Sequence, residues 1–288
     1  MEINFAIIGG SGLYAMKNAR FIEQIEVSTP FGLPSDLISI VEISGKTIAF
    51  LPRHGRGHRL LPSEIPYRAN IWALKSLGAE QIIAVSAVGS LAEEYRPGDF
   101  VICDQLIDRT KGRENSFFGQ GVVGHVAFAE PYCPAMREAI IRVVDKHSSS
   151  LHPRGTLVCM EGPLFSTRAE SMLYRSWGAQ LIGMTALPEA KLAREAEICF
   201  SLIAMVTDYD CWKESEESVT VDMVIKVMKK NTETIQLVIP EMITELSKKR
   251  SCCCGQAAAN AIMTSPDQIP EQARRRLSLF YDKYWNKL

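Results

Sequence analysis

Near the amino terminus, the apolar run Phe5-Ala-Ile-Ile-Gly-Gly-Ser-Gly-Leu13 ends in three glycines and a serine. Such a turn offers backbone N–H groups and a hydroxyl with little side-chain bulk around them, which makes a cradle for an anion. Gly10-Ser11-Gly12-Leu-Tyr-Ala15 also fits the dinucleotide fingerprint G-x-G-x-x-G/A. That fingerprint requires a helix next, whereas the following residues lead into what reads as a hairpin. No G-K-[ST] follows the glycines, so a nucleotide P-loop is a worse fit. The surviving reading is a loop for one small anion. A second stretch, Leu51-Pro-Arg53-His54-Gly-Arg56-Gly-His58-Arg59, brings cations after a strand, and Arg53 has a planar fork suited to phosphate or carboxylate. A third, Ser86-Ala87-Val-Gly-Ser-Leu91, again brings small residues and a hydroxyl to a strand end, where α/β proteins bind ligands.

These residues need a frame, and the chain alternates strand and helix signals. Residues 5–10 read as a strand, and 36–55 as two strands around Ser44-Gly45-Lys46. Residues 63–80 read as a helix stopped at Gly78, followed by the strand 81–91. One further strand is expected over 99–110 and a helix over 133–147. Strands follow at 155–163 and 180–185, then a helix over 187–197, a strand over 199–210 and a long helix over 218–246. This order predicts an α/β domain whose mixed sheet is covered by helices. Residues 270–288 read as a terminal amphipathic helix with a basic face.

Apolar residues make up 47% and charged residues 23% of the 288, with a net charge of −1. No strongly basic surface is implied, so nucleic acid is an unexpected partner. No apolar run has the length of a membrane span, and the start of the chain lacks the basic region of a signal peptide. A cytoplasmic protein with no membrane partner is therefore expected. The eight cysteines are not a secreted-protein framework in a chain of this length. Cys103, Cys133, Cys159, Cys199 and Cys211 read as small apolar core residues. Cys252, Cys253 and Cys254 are adjacent, but no second cysteine or histidine pair stands near them at zinc spacing. No metal is expected there, and a redox or disulfide role fits better.

Several motifs occur together and in order: IGGSGL, STPFGLPSD, PRHGRGH, ANIWALKSLGA, AVGSL, PGDFVICDQLIDRT, EGPLFSTRAES, WGAQLIGMTALPEAKLAREAEIC and MVTDYDCWKESEESVTVD. Together they resemble the methylthioadenosine phosphorylase family, in the trimeric branch of the purine nucleoside phosphorylase superfamily. The resemblance runs from about Ile7 to near Leu246. It implies a three-layer α/β/α fold around a central mixed sheet. Residues 1–248 would form the catalytic domain, and 249–288 a cysteine-containing helical extension packed on it. The implied reaction is phosphate-dependent cleavage of 5′-methylthioadenosine to adenine and 5-methylthioribose 1-phosphate, in purine and methionine salvage. The alternatives are a broader purine nucleoside phosphorylase acting on adenosine, inosine, guanosine or methylthioinosine, and a non-catalytic nucleoside-binding protein. Inorganic phosphate is a co-substrate in this reading, and no cofactor is implied.

Carried over residue by residue, the resemblance places phosphate among Ser11, Arg53, His54, Ser86, Ala87 and Thr185. Ile182 and Met184 would contact the nucleoside, with Met184 under the ribose and Phe165 against the purine. Val221 and Val224 would line the 5′-methylthio pocket, with His125 supplied by a neighbouring subunit of a trimer, or of a hexamer built from two trimers. Asp208 is assigned the protonation of purine N7, and Asp210 accepts from the 6-amino group. Aspartate at this pair suits a 6-aminopurine. On a strand, carboxylates one residue apart share a face, whereas a loop splays them. A metal is the competing use of any such pair, and the family needs none. Three positions depart from the mammalian-type pattern: Gly183 replaces an asparagine, and Ser11 and Ser86 replace threonines that carry the same hydroxyl. Gly183 leaves the breadth of purine specificity open. The cysteines near the carboxyl terminus resemble those of archaeal and thermophilic members, which implies disulfides and a proximity of Cys133 to Cys199.

Overall fold

A computed structural model describes residues 3–10, 19–148, 150–213, 221–246 and 250–285, without the side chains of 221–224 and 226. The strands are β1 (Phe5–Gly9), β2 (Arg20–Ile25), β3 (Ile38–Ile43), β4 (Lys46–Pro52), β5 (Gln81–Ser90), β6 (Phe100–Ile102), β7 (Gln105–Arg109), β8 (Leu151–His152), β9 (Thr156–Met160), β10 (Leu181–Gly183) and β11 (Cys199–Asp208). The helices are α1 (Tyr67–Ser76), α2 (Pro134–His147), α3 (Arg168–Ser176), α4 (Ala186–Glu195), α5 (Val221–Leu246) and α6 (Glu271–Trp285).

Period-two alternation assigns each strand's side chains to two cores. Ala6 and Ile8 of β1, with Ile82 and Ala84 of β5, face the layer of α1, α4 and α6. Phe5 and Ile7, with Ile83 and Val85, face α2 and α5. Strands buried on both faces read as near-continuous apolar runs, which is why 5–9, 81–85 and 199–207 were legible. The three-layer α/β/α arrangement with a mixed sheet is the expected one. The turn between β3 and β4 has Ser44 and Gly45 at φ 51° and 72°, the left-handed pair of a tight hairpin. Ala273, Leu277, Phe280, Tyr281 and Trp285 of α6 belong to the same core as α1 and α4, so the carboxyl-terminal extension is integral to it.

Besides the short β8, three features differ from expectation. Residues 99–110 are two strands: β6 pairs with β11 and β8, while β7 pairs with β9. The break falls where Arg137 draws off two carbonyls, with Nε donating to Cys103 O at 2.8 Å and Nη2 to Ile102 O at 3.3 Å. β2 is an added edge strand, antiparallel to β3 and mostly exposed, with little apolar pattern to betray it. α3 follows a capping box, Thr167 with Glu170, a signal present in the sequence but not read there.

The feature that makes room for a ligand is a fork in the sheet at β5. β1 pairs in parallel with β5 only as far as Ile8–Ala84. On the same edge β10 begins antiparallel pairing at Ile182–Gly89. Residues 85–88 of β5 lie between the two, with the other edge of the strand held by β11 throughout. Ser86 and Ala87 are therefore at a divergence of strands, the place where open α/β sheets bind ligands.

Candidate active site

The strand ends around this fork carry the expected residues. Ser86 lies on β5, and Thr185 follows β10 at the start of α4. Their hydroxyls stand 3.3 Å apart. Thr185 occupies the helix-cap position without capping with its side chain, so its oxygen is directed to Ser86 instead. Ala87 is the next residue of β5, where strand alternation turns its side chain to the other face. Ser11 lies outside the described residues, as does the rest of the loop after Gly10.

Arg53 follows β4 and is buried. Its Nε and Nη2 donate to the two carboxylate oxygens of Glu189 on α4 at 2.7 and 2.9 Å, and Nη1 donates to Val85 O at 3.1 Å. The fork read as a phosphate clamp is thus engaged by a fully buried carboxylate. His54 donates from Nδ1 to Leu60 O at 2.8 Å and stacks on His58 with ring centroids 4.2 Å apart. Burial pushes its pKa down to about 4, helped by the charges of Arg53 and His58 and opposed by the Leu60 carbonyl. The imidazole is neutral near pH 7, and with its proton on Nδ1 it presents Nε2 as an acceptor.

Asp208 ends β11. Its Oδ2 accepts from Thr207 Oγ1 at 2.7 Å and its Oδ1 from the backbone N–H of Asp210 at 2.8 Å. Burial raises its pKa, the Thr207 and Asp210 hydrogen bonds oppose that, and the Asp210 charge adds to it. Asp210 lies beyond the strand at φ 51°, so the two carboxylates do not share a strand face. It is almost fully buried, and both its oxygens accept from Ser166 Oγ at 2.8 and 2.7 Å. A Cβ on Gly89 would stand 2.9 Å from Ile182 Cγ2 and 3.0 Å from Asp208 Oδ1. Only glycine lets Asp208 and Ile182 approach β5 this closely.

Phe165, half exposed, sits in the loop before α3, one residue from Ser166. Met184 follows β10, with its Sδ where a Cβ on Gly162 would fall, at 2.6 Å. Val221 and Val224 open α5, and their side chains lie outside the described residues. His125 is exposed in a different region, tied by its backbone N–H to Ala261 O at 2.8 Å.

The Phosphorylase superfamily profile matches residues 4–244. The chain is 51% identical over 287 residues to S-methyl-5′-thioadenosine phosphorylase of Koribacter versatilis, covering 100% of this chain and 98% of that one. The chain belongs to the methylthioadenosine phosphorylase family of that superfamily. Among solved structures, this phosphorylase is similar to a methylthioadenosine phosphorylase sourced from an antarctic soil metagenomic library. That match has a TM-score of 0.92 and 46% identity, over 97% of this chain and 99% of that one. It is also similar to a mutant adenosine/methylthioadenosine phosphorylase from Schistosoma mansoni in complex with adenine. There the TM-score is 0.81 with 38% identity, over 86% and 93% of the two chains.

Four positions of this phosphorylase's site went unread in its sequence. Glu189, Ser166 and Gly89 act on residues that were read. The fourth, Arg113, has a buried side chain that ties the site's rim together. Its Nη1 donates to Met184 O at 2.7 Å, Leu187 O at 2.8 Å and Tyr67 OH at 3.1 Å, and its Nε to Glu161 Oε2 at 3.0 Å. A lone arginine in a polar stretch gives no local signal of such burial.

Proposed function

We propose that this chain cleaves the glycosidic bond of 5′-methylthioadenosine with inorganic phosphate, releasing adenine and 5-methylthioribose 1-phosphate. The observation that carries the reading is the placement of Asp208 relative to the Ser86–Thr185 hydroxyl pair. On adjacent strands, Asp208 pairs with Gly89 and Ala204 with Ser86. Three residues of β5 separate the two ends, a span of about 10 Å. That is the scale of a nucleoside with phosphate under its sugar.

The chemistry follows from charge. As the C1′–N9 bond lengthens, positive charge develops on the sugar, and a phosphate held beside C1′ stabilises and then captures it. Electrons flow to the purine, and N7 takes a proton from Asp208, which burial favours in its protonated form. Asp210, fixed by Ser166, accepts from the 6-amino group. Ser11, Ser86 and Thr185 donate to phosphate, and neutral His54 accepts at Nε2 a hydrogen bond from the phosphate's own hydroxyl. Arg53 positions the strand ends through Glu189 and Val85. Phe165 lies on the purine face, Ile182 and Met184 line the nucleoside, and Val221 and Val224 line the methylthio pocket. His125 completes that pocket from a neighbouring subunit of a cytoplasmic trimer. No cofactor enters the reaction.

A broader reading has one specific support, the similarity to an enzyme whose name includes adenosine as well as methylthioadenosine. The test of both is base release from 5′-methylthioadenosine, adenosine and inosine, with and without phosphate. Adenine formed only with phosphate, together with a sugar 1-phosphate, is the expected result. Release without phosphate identifies a hydrolase and overturns the reading, and turnover of inosine establishes the broader specificity.

A further inference from the structure

Outside the active site, the fold gathers four thiols that are far apart in sequence. Cys133 stands at the cap of α2, Cys199 opens β11, and Cys252 and Cys254 flank a turn in the carboxyl-terminal segment. Their Sγ atoms all lie within 4.8 Å of one another. Cys133, Cys199 and Cys254 are buried and Cys252 is half buried, whereas the intervening Cys253 is exposed and outside the cluster. The expectation of no metal rested on the absence of a second ligand pair near the triplet, and tertiary structure supplies that pair.

We propose that Cys133, Cys199, Cys252 and Cys254 form a structural tetrathiolate site for a zinc ion. Tetrahedral thiolate coordination with metal–sulfur bonds of about 2.3 Å requires sulfur–sulfur edges of roughly 3.8 Å. The separations here stay within 4.8 Å, and the Cys199–Cys252 contact of 3.2 Å would open to that edge on loading. Loading converts four thiols to four thiolates and releases four protons, with no change of oxidation state. The centre then carries a net charge of −2, and the surroundings answer it. Arg194 Nη1 lies 3.7 Å from Cys254 Sγ, and Arg250 Nη1 lies 3.8 Å from Cys199 Sγ. Arg250 also pairs with Glu80 at 3.1 Å, and Lys283, which donates to the carbonyl of Gly255 next to the cluster at 3.1 Å, is itself paired with the buried Glu197. The charge facing the sulfurs directly is thus that of Arg194 and Arg250. The amino-terminal end of the 14-residue α2, with no acidic residue in its first turn, adds positive potential at Cys133. Two disulfides would leave both guanidinium groups facing neutral sulfur, which is why the charges favour the metal.

The site would join the start of α2, the start of β11 and the segment leading into α6. It would therefore anchor the carboxyl-terminal extension to the central sheet, about as far from the strand-end chemistry as β11 is long. The active site does not depend on it for any reacting group.

The experiment is metal analysis of the full chain purified under reducing conditions without chelator. About one zinc per chain is expected, with X-ray absorption reporting four sulfurs at about 2.3 Å. Cys252→Ser and Cys254→Ser should lose the zinc and lower the melting temperature, while Cys253→Ser keeps both. Should the variants not fold, Co²⁺ bound to the wild-type chain gives the absorption of tetrahedral thiolate coordination. A reduced wild-type chain that takes up neither Zn²⁺ nor Co²⁺ overturns the proposal. So does uptake that survives Cys254→Ser, or a non-reducing mass map that pairs these cysteines as disulfides.

Discussion

Arg53 and Glu189, 136 positions apart, meet as a bidentate pair with contacts of 2.7 and 2.9 Å, and both side chains are buried. The pair joins the end of β4 to the first turn of α4, on either side of the fork where β1 and β10 part along β5. Each charge neutralises the other, and the carbonyls of Val85 and Ile8 accept further from Arg53. Glu189→Ala should therefore destabilise the chain by about 3–5 kcal/mol in chemical denaturation, because it leaves a buried guanidinium uncompensated. Replacing both residues, as Arg53→Met with Glu189→Met, should recover much of that loss. An unchanged stability for Glu189→Ala would show that water reaches Arg53.

Asp208→Asn should lower kcat for 5′-methylthioadenosine by roughly 10²- to 10⁴-fold, the usual contribution of a general acid, with a smaller effect on KM. The wild-type carboxyl must be protonated to act, and burial raises its pKa above the ordinary 3.8. Activity should accordingly persist above the usual carboxylate range and decline as pH rises through the raised value. The Asn variant should lose that limb of the profile. Full activity in the variant would remove Asp208 from the protonation of N7.

Gly89→Ala places a methyl group 2.9 Å from Ile182 Cγ2 and 3.0 Å from Asp208 Oδ1, so one of them must move. Displacing the acid by a fraction of an ångström to an ångström should cost up to about 10²-fold in kcat. Thermal denaturation should show a smaller relative change, because the added methyl removes no buried contact and one flexible side-chain end can yield to it. A variant as active as the wild type would mean that the carboxylate tolerates the displacement.

Glu195, at the end of α4, accepts from Phe117 N at 2.6 Å and Ser116 Oγ at 2.8 Å. Burial raises its pKa from 4.5 to about 7, against those two hydrogen bonds. Between these values the folded state binds more protons than the unfolded chain, so stability falls as pH rises from 4.5 to about 7 and levels above that. Denaturation midpoints across this window should show the slope in the wild type, and Glu195→Gln should flatten it. A slope that persists in Glu195→Gln would assign the titration to another group.

The apolar strands, the amphipathic helices and the order of their alternation were legible because burial on one or both faces leaves a periodic imprint on a local stretch. Family membership was legible for a related reason: many short motifs in a fixed order are jointly far more specific than any one of them. Ser86 was legible by itself, because small residues after an apolar run mark a strand end, whereas Thr185 and the role of Asp208 came from the resemblance to the family. The sequence was silent on which strand ends meet. The split of 99–110 depends on Arg137, 34 residues from the carbonyl it takes. The engagement of Arg53 depends on Glu189, the orientation of Asp210 on Ser166, and the room for Asp208 on Gly89. The ties of Arg113 likewise exist only once its loop meets α1, the end of β9 and the start of α4. The assembly of Cys133 and Cys199 with Cys252 and Cys254 exists only once α2, β11 and the carboxyl-terminal segment pack together. Local sequence encodes periodicity, which the neighbouring residues determine, whereas charge pairing and ligand sets are contacts between distant segments that only the packed sheet brings within reach.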